Sequence, residues 1–208
     1  MTELAVRLAR ISLVAACRGL LSLRSHNLPP PVQTPRIYVA NHVSHADFVA
    51  IWTALPPALR AKTRPVAGAD YWLAHPLRRW LITHVFRGVL VARGLPKQDD
   101  PIPTLAAPLL QGEDLIFFPE GTRNLTDDAL LPLRSGIYRL AQAAPAAEIV
   151  PLWITHMDRI LPKGALLPVP LNCTLTFGPP LRPAPEEDCA GFLARLHGAL
   201  LACHEGRA

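Results

Sequence analysis

Apolar residues follow two patterns along the chain, and each pattern predicts a different kind of secondary structure. Short apolar runs predict buried strands, whereas apolar positions spaced three and four residues apart predict helices. The runs place strands at residues 36–40, 65–69, 85–92, 115–118, 148–154 and 171–177. The helical spacing places helices at residues 4–23, 47–55, 71–84, 99–110, 136–144 and 186–204.

Strands and helices alternate along most of the chain, which is typical of an α/β fold whose sheet is covered by helices on both faces. Two prolines add detail to this prediction. Pro185 precedes the last helix and is expected to start it. Pro151 lies inside the run 148–154, and a proline within a strand indicates an edge strand or a bulge.

The first predicted helix, residues 4–23, combines apolar faces with three arginines. Arg7, Arg10 and Arg18 fall within an arc of roughly 80° on a helix, a pattern typical of a helix lying in a membrane interface. The alternative is a helix packed on the domain's own core. Arg18 interrupts the apolar region and disfavours a signal peptide. We therefore expect a membrane-associating helix at 1–28 and a second domain at 29–208.

Composition narrows the classes of function. Apolar residues make up 50% of the 208 residues and exclude a disordered chain. The net charge of +5 favours anionic partners such as acidic lipid surfaces or phosphorylated substrates. No dense basic run interleaved with aromatic residues occurs, so a nucleic-acid partner is not expected. The four cysteines lack a C-x-x-C pair, which argues against a disulfide scaffold or a zinc finger.

The first motif with candidate chemistry is the segment 41–47, Asn-His-Val-Ser-His-Ala-Asp, directly after the strand at 36–40. Ser44 is expected to cap the next helix, with Asp47 in its first turn. A turn that folds His42 over the helix start would bring its ring to Asp47 and make its other nitrogen a better base. Two alternatives stay open: structural histidines, or a metal site built from His42, His45 and Asp47.

The second motif is the segment 117–123, Phe-Phe-Pro-Glu-Gly-Thr-Arg, which also follows an apolar strand. Gly121 permits a positive φ or a close backbone approach. Thr122 and nearby backbone N–H groups can donate to an anion, and Arg123 can hold a phosphate with two hydrogen bonds. The alternative is a plain turn with a surface arginine. A weaker signal is the apolar run that ends at Arg93.

The two motifs occur in one order, N-H-x-S-x-x-D and then F-P-E-G-T-R, and together they carry a resemblance. Over residues 36–180 the chain resembles the glycerolipid acyltransferases, above all the 1-acyl-sn-glycerol-3-phosphate acyltransferases. The resemblance implies a mixed, mostly parallel central sheet flanked by helices. It implies that His42 is the general base and that Asp47 orients it. The substrate-binding residues that it implies are Arg93, Glu120, Gly121, Thr122, Arg123 and Pro151.

The resemblance also implies substrates and a cellular location. The acyl donor is a thioester, acyl-CoA or acyl-carrier protein, and no metal, cofactor or covalent acyl-enzyme is implied. The acceptor is a lysophospholipid, first of all 1-acyl-sn-glycerol-3-phosphate, which would give phosphatidic acid. The expected place is an anionic lipid surface on the cytoplasmic face of the cell membrane, with the protein peripheral or monotopic. Attack on the thioester creates an oxyanion, for which we consider the backbone N–H groups of the turn 41–44.

Departures from the family pattern leave alternatives open. Ala69, Asp70 and Tyr71 stand where the family often has lysine and glutamate, and an acidic residue near a phosphate site weakens binding. The acceptor could therefore be another lysolipid, such as a lyso-ornithine lipid. A non-catalytic lipid-binding protein of the same fold is a second alternative. A metal-dependent hydrolase using His42, His45 and Asp47 is a third.

Overall fold

The computed structural model of the chain describes residues 3–92, 100–157 and 172–206. A central sheet runs through these residues, and its strands are β1 (Arg24–His26), β2 (Arg36–Ala40), β3 (Thr63–Gly68), β4 (Val89–Val91), β5 (Asp114–Phe117), β6 (Glu148–Ile154) and β7 (Thr174–Phe177). The helices are α1 (Glu3–Leu21), α2 (Asp47–Ala54), α3 (Pro57–Lys62), α4 (Ala69–Leu73), α5 (Pro76–Trp80), α6 (Ile102–Leu110), α7 (Gly136–Ala143) and α8 (Cys189–His204). A π-helical turn at Leu81–Val85 follows α5.

The strand order in the sheet is β1-β7-β6-β2-β5-β3-β4. Neighbouring strands run parallel except for β6 and β7, which pair antiparallel. The predicted α/β fold with a mixed, mostly parallel central sheet flanked by helices is therefore confirmed. Because β2, β5 and β6 are parallel neighbours, the loops that follow them emerge at the same edge of the sheet.

Strand β2 shows why its residues form a continuous apolar run. All five of its residues are buried. Ile37 and Val39 belong to the hydrophobic cluster that α6, α7 and α8 cover, whereas Tyr38 and Ala40 belong to the cluster that includes residues of α2. Since successive side chains of a strand point to opposite faces, a strand covered on both sides needs apolar residues at every position.

Helix α1 packs one face on the body of the protein and leaves another face exposed. Ala9, Leu13 and Cys17 pack against the buried core. Leu4 and Leu8 are 63% and 55% exposed. The helix thus has one face packed on the core and one face that is apolar and open. None of the described helices is long and apolar enough to cross a membrane.

Residues 71–92 differ from the prediction of one helix followed by one long strand. The structure has two short helices, because Pro76 lacks an N–H group and starts a new helix whose Leu77 N–H donates to the His75 ring. The π-helical turn then extends to Val85, and β4 begins only at Val89. Between them, Arg87 has φ +54°, and Gly88 lies against Ile82, where a Cβ would be 2.6 Å from Cδ1.

The strands predicted at 36–40 and 148–154 have their observed ends, and the other predicted elements outside residues 71–92 are confirmed with shifted ends. The predicted starts at residues 99 and 171 lie outside the described residues, and β1 and α3 were not predicted. Helix α8 begins at Cys189 rather than next to Pro185. Its N-cap is Asp188, whose carboxylate accepts a hydrogen bond from the Gly191 N–H at 2.7 Å. The side-chain cap, which satisfies an otherwise unpaired N–H group, decides the helix start here.

Pro151 was expected to mark an edge strand or a bulge, and the edge-strand alternative is wrong, because β6 lies between β7 and β2. The Pro151 carbonyl accepts the Gly178 N–H at 2.8 Å, and Gly178 directly follows the last residue of β7. Pairing on this side resumes only at the bridge between Ile149 and Leu181. The missing N–H of the proline therefore falls where the ladder is already interrupted, which agrees with the expected irregularity.

Candidate active site

The two sequence motifs meet at the carboxyl ends of β2 and β5. The His42 N–H donates to Oε1 of Glu120 at 2.7 Å, and the His42 carbonyl accepts the Asn124 N–H at 2.6 Å. The side-chain amide of Asn41 exchanges two hydrogen bonds with the backbone of Ile154 at the end of β6, at 2.8 and 3.1 Å. Three adjacent strand ends are thus joined through one buried turn.

His42 and Asp47 lie in direct contact across this turn. Nδ1 of His42 is 2.9 Å from Oδ2 of Asp47. The His42 ring also stacks on Phe118, with ring centroids 4.2 Å apart. The carboxylate and the aromatic ring together fix the orientation of the imidazole, whose side chain is 12% exposed. Because Nδ1 is held by the carboxylate, Nε2 is the nitrogen left for exchanging a proton with a ligand.

Asp47 is fully buried, and its Oδ2 accepts three hydrogen bonds. Besides His42, the donors are the backbone N–H groups of Val43 at 2.7 Å and Ser44 at 2.8 Å. Burial raises the pKa of Asp47, and these hydrogen bonds partly offset that rise. The expected cap by Ser44 is wrong, because Ala46 is the N-cap of α2 and no side chain bonds to its N–H groups. The carboxylate of Asp47 instead reaches back to the turn.

Glu120 is also buried, and its side chain holds the backbone of the first motif and of the loop that follows the second. Oε1 accepts the His42 N–H, and Oε2 accepts the Leu131 N–H at 3.0 Å. Its carbonyl accepts a hydrogen bond from Nε of Arg134 at 3.0 Å. Burial raises the pKa of Glu120, opposed by its two backbone hydrogen bonds. These contacts place Glu120 behind His42 as a support for the turn.

The turn borders a cavity of about 660 Å³ at this edge of the sheet. Its apolar wall comes from β3, β4 and α6 and from aromatic residues of α2, α4 and β5. Its polar wall comes from the turn after β5 and from the start of α7. Residues on these walls include His42, Tyr71, Leu105, Gly121, Thr122 and Arg134. The size and the mixed lining suit a ligand with an apolar part and a charged part.

The structure separates the predicted substrate-binding residues into groups. Gly121 and Thr122 line the cavity, whereas Glu120 and Arg123 are not among the described residues that line it. Arg93 lies outside the described residues. Pro151 lies under α8, and its carbonyl is 3.8 Å from Sγ of Cys203. The roles expected of these residues stay predictions, and the geometry brings only part of the set to the cavity.

Two arginines on the cavity wall are absent from the sequence prediction. Arg134 and Arg139 both line the cavity, and Arg139 pairs with Asp100 at 2.5 Å. Arg134 lies against Gly121, where a Cβ would be 2.7 Å from its Cδ, and Gly121 has φ +70°. Nothing in the local pattern marks Arg134, because it follows a loop without periodicity and becomes part of the site only through this long-range packing.

Three of the four backbone N–H groups considered for the oxyanion are already engaged. Those of His42, Val43 and Ser44 donate to the carboxylates of Glu120 and Asp47. For these three groups the expectation is wrong, since a donor already held by a buried carboxylate cannot also serve a ligand. The hydroxyl of Thr122, on the cavity wall, is a donor at a different position.

The alternative of a metal site built from His42, His45 and Asp47 needs a cluster of metal-ligating side chains, and none occurs in the described ranges. There, no group of three or more His, Cys, Asp or Glu side chains is placed to hold a metal ion. The ring of His45 stacks on Tyr71, with centroids 3.9 Å apart.

The fold and the site define an α/β protein with a histidine–carboxylate pair facing a mixed cavity at the carboxyl ends of parallel strands. Residues 22–155 match the family described as Acyltransferase, and the chain belongs to that family. It is 30% identical over 141 residues to a 1-acyl-sn-glycerol-3-phosphate acyltransferase of Chlamydomonas reinhardtii, covering 66% of this chain and 39% of that protein. It is 28% identical over 158 residues to tafazzin of Drosophila melanogaster, covering 73% and 41%.

The chain thus spans about two fifths of the length of these curated relatives. A solved structure shares the fold over almost the whole chain. This is the 1-acyl-sn-glycerophosphate acyltransferase PlsC of Thermotoga maritima, with a TM-score of 0.73, 19% sequence identity, and coverage of 99% of this chain and 83% of that one. The family's expected fold is thereby confirmed.

Proposed function

We propose that this protein transfers an acyl group from a thioester, acyl-CoA or acyl-carrier protein, to the free hydroxyl of a lysophospholipid. The observation that carries the proposal is the contact of 2.9 Å between His42 Nδ1 and the buried Asp47 carboxylate, with the His42 ring on the cavity wall. A base held in this way can deprotonate an alcohol positioned in the cavity. Family membership supports the same reaction class.

The chemical steps follow from this arrangement. Nε2 of His42 accepts the hydroxyl proton while the alcohol oxygen attacks the thioester carbonyl carbon. The tetrahedral intermediate then collapses, the C–S bond breaks, and the proton on His42 passes to the leaving thiolate. Asp47 stabilises the imidazolium that forms in between. The acyl group moves in one displacement, without a covalent enzyme intermediate and without a metal or other cofactor.

The proposed acceptor is 1-acyl-sn-glycerol-3-phosphate, and its product is phosphatidic acid. The relative from Chlamydomonas reinhardtii is named as an acyltransferase of that acceptor, and its name supports the choice. Arg134 supplies a guanidinium beside Gly121 and Thr122 on the cavity wall, where it can bind the phosphate. Another lysolipid, such as a lyso-ornithine lipid, is the alternative acceptor.

The proposed place of action is the cytoplasmic face of the cell membrane, with the protein peripheral or monotopic. The exposed apolar face of α1, with Leu4, Leu8 and Ile11, supports insertion into the interface. The net charge of +5 supports an anionic lipid surface as a partner.

A thiol-release assay with a labelled acyl thioester tests the proposal. Release that requires 1-acyl-sn-glycerol-3-phosphate and yields phosphatidic acid would establish both the reaction and the acceptor. Release that requires a different lysolipid would keep the reaction and change the acceptor. Binding of lysolipid without any thiol release, from each donor and each acceptor, would favour the non-catalytic alternative.

A further inference from the structure

A second cavity of about 460 Å³ lies between α1 and the body of the protein, formed with α2, α3 and the π-helical turn. It shares no lining residue with the cavity at His42 among the described residues. Its apolar lining includes Ile11, Val14, Ala15, Trp52 and Phe86. Four arginines also line it, namely Arg10, Arg18, Arg60 and Arg87.

Two of these arginines are held in place by backbone carbonyls rather than by acids. Arg10 donates to Val85 O at 2.9 Å and to His84 O at 3.1 Å. Arg60 donates to Trp52 O at 3.0 Å and to two further carbonyls at the end of α2. These hydrogen bonds orient the guanidinium groups but leave their positive charges in place.

The positive charge of the cavity is only partly balanced. Arg87 pairs with Glu113, whereas Arg18 makes no ion pair with any described carboxylate, and no acidic side chain is among the described residues that line the cavity. Burial lowers the pKa of Arg10, and repulsion from Arg87 lowers it further. Burial and repulsion from Arg18 act in the same way on the pKa of Arg60. An anion in the cavity would relieve this repulsion.

We propose that this cavity binds one anionic phospholipid from the membrane surface, with its phosphate among the arginines and the start of an acyl chain on the apolar wall. Guanidinium groups match phosphate geometry with paired hydrogen bonds. Ile11 lines the cavity and is also 58% exposed on the open apolar face of α1. The cavity therefore opens beside the surface that we expect to meet the lipid. This inference goes beyond acyl transfer, and its test does not depend on catalysis.

The test uses the full chain and a soluble short-chain lipid, dihexanoyl phosphatidylglycerol, titrated by calorimetry below its micelle concentration. We expect saturable binding of one lipid and at least tenfold weaker binding by Ala15→Trp, which fills the cavity. Ala16 is exposed on the same helix and does not line the cavity, so Ala16→Trp is the matched control and should bind within twofold of the parent chain.

A second pair of variants removes one charge each. Arg18→Gln should weaken binding at least threefold, whereas Arg7→Gln, an exposed position of the same helix outside the cavity, should leave it unchanged. Equal weakening by both would overturn the proposal in favour of general surface charge. Equal binding of dihexanoyl phosphatidylcholine would overturn the role of the arginines, and equal binding of inorganic phosphate would overturn the role of the apolar wall. If Ala15→Trp fails to fold, the arginine pair decides.

Discussion

The carboxylate of Glu120 accepts a hydrogen bond from the backbone N–H of His42 at 2.7 Å, across 78 positions of sequence. This contact joins the two sequence motifs into one site. It holds the backbone of His42 from behind, while Asp47 holds the ring at Nδ1. The position of the proposed base therefore depends on two buried carboxylates, one from each motif.

Replacing His42 with Ala should lower acyl transfer by about 10²–10⁴-fold, the usual contribution of a positioned general base. The measurement is thiol release under saturating thioester and acceptor. The melting temperature should stay close to that of the parent chain, because the side chain is a small part of the core. His26 is exposed in β1 and provides the control, since His26→Ala should leave the rate unchanged. A rate for His42→Ala near that of the parent chain would end the general-base proposal.

Asp47→Asn should separate orientation of the imidazole from folding. The amide oxygen can still accept the N–H groups of Val43 and Ser44, but it cannot stabilise the imidazolium as a carboxylate does. We expect kcat to fall by about 10² or more, with KM for both substrates little changed. Steady-state kinetics and thermal unfolding check this together. A variant that folds and keeps its kcat would show that Asp47 is purely structural.

Arg134→Gln should raise KM for 1-acyl-sn-glycerol-3-phosphate by roughly tenfold or more, since hydrogen bonds to charged groups contribute about 1.5–3 kcal/mol. KM for the thioester should change far less, which distinguishes loss of phosphate binding from general damage to the site. Arg24 is exposed in β1 and provides a matched control. Arg123→Gln is the informative comparison. The family pattern favours Arg123 as the phosphate-binding residue, whereas the cavity lining favours Arg134. A larger effect at Arg123 would contradict the assignment of Arg134.

Glu120→Gln should destabilise the protein by about 1–3 kcal/mol. Both Glu120 oxygens accept backbone N–H groups, and an amide nitrogen at either position would face a donor with a donor. For a chain of this length, each kcal/mol lowers the melting temperature by roughly 2–4 °C. Calorimetry measures the change, and Glu186→Gln at an exposed position provides the control. An unchanged melting temperature would show that the Glu120 carboxylate does not hold the turn.

Stability should decline at alkaline pH. Burial raises the pKa of Cys173 from 9.0 to about 12 and that of Cys203 from 9.0 to about 11. From pH 9.0 up to these raised pKa values, the unfolded chain releases thiol protons that the folded chain keeps. Stability that is present below pH 9 is therefore lost as the pH rises through about 11 and about 12. Urea unfolding from pH 8 to 11 measures this slope. Cys203→Ala should make it shallower, and a flat profile in the parent chain would contradict the burial of these thiols.

Local patterns in the sequence determined the alternation of strands and helices and the position of both motifs. Strand β2 was predicted with its observed ends, because a run buried on both faces needs apolar residues at every position. The contact between His42 and Asp47 was also predictable from the sequence, since the two residues lie five positions apart. Prolines misled where long-range contacts overrode local preference, as at Pro151, which lies in a central strand.

By itself, the sequence determined most of the order of strands and helices, the candidate base and its carboxylate. The tertiary structure alone decided that Glu120 supports His42, that Arg134 borders the cavity, and that an arginine-lined cavity lies beneath α1. The physical reason is that strand and helix periods determine which face a residue occupies within its own element. Which distant residue meets that face depends on how the elements pack, and spacing along the chain carries no information about that packing.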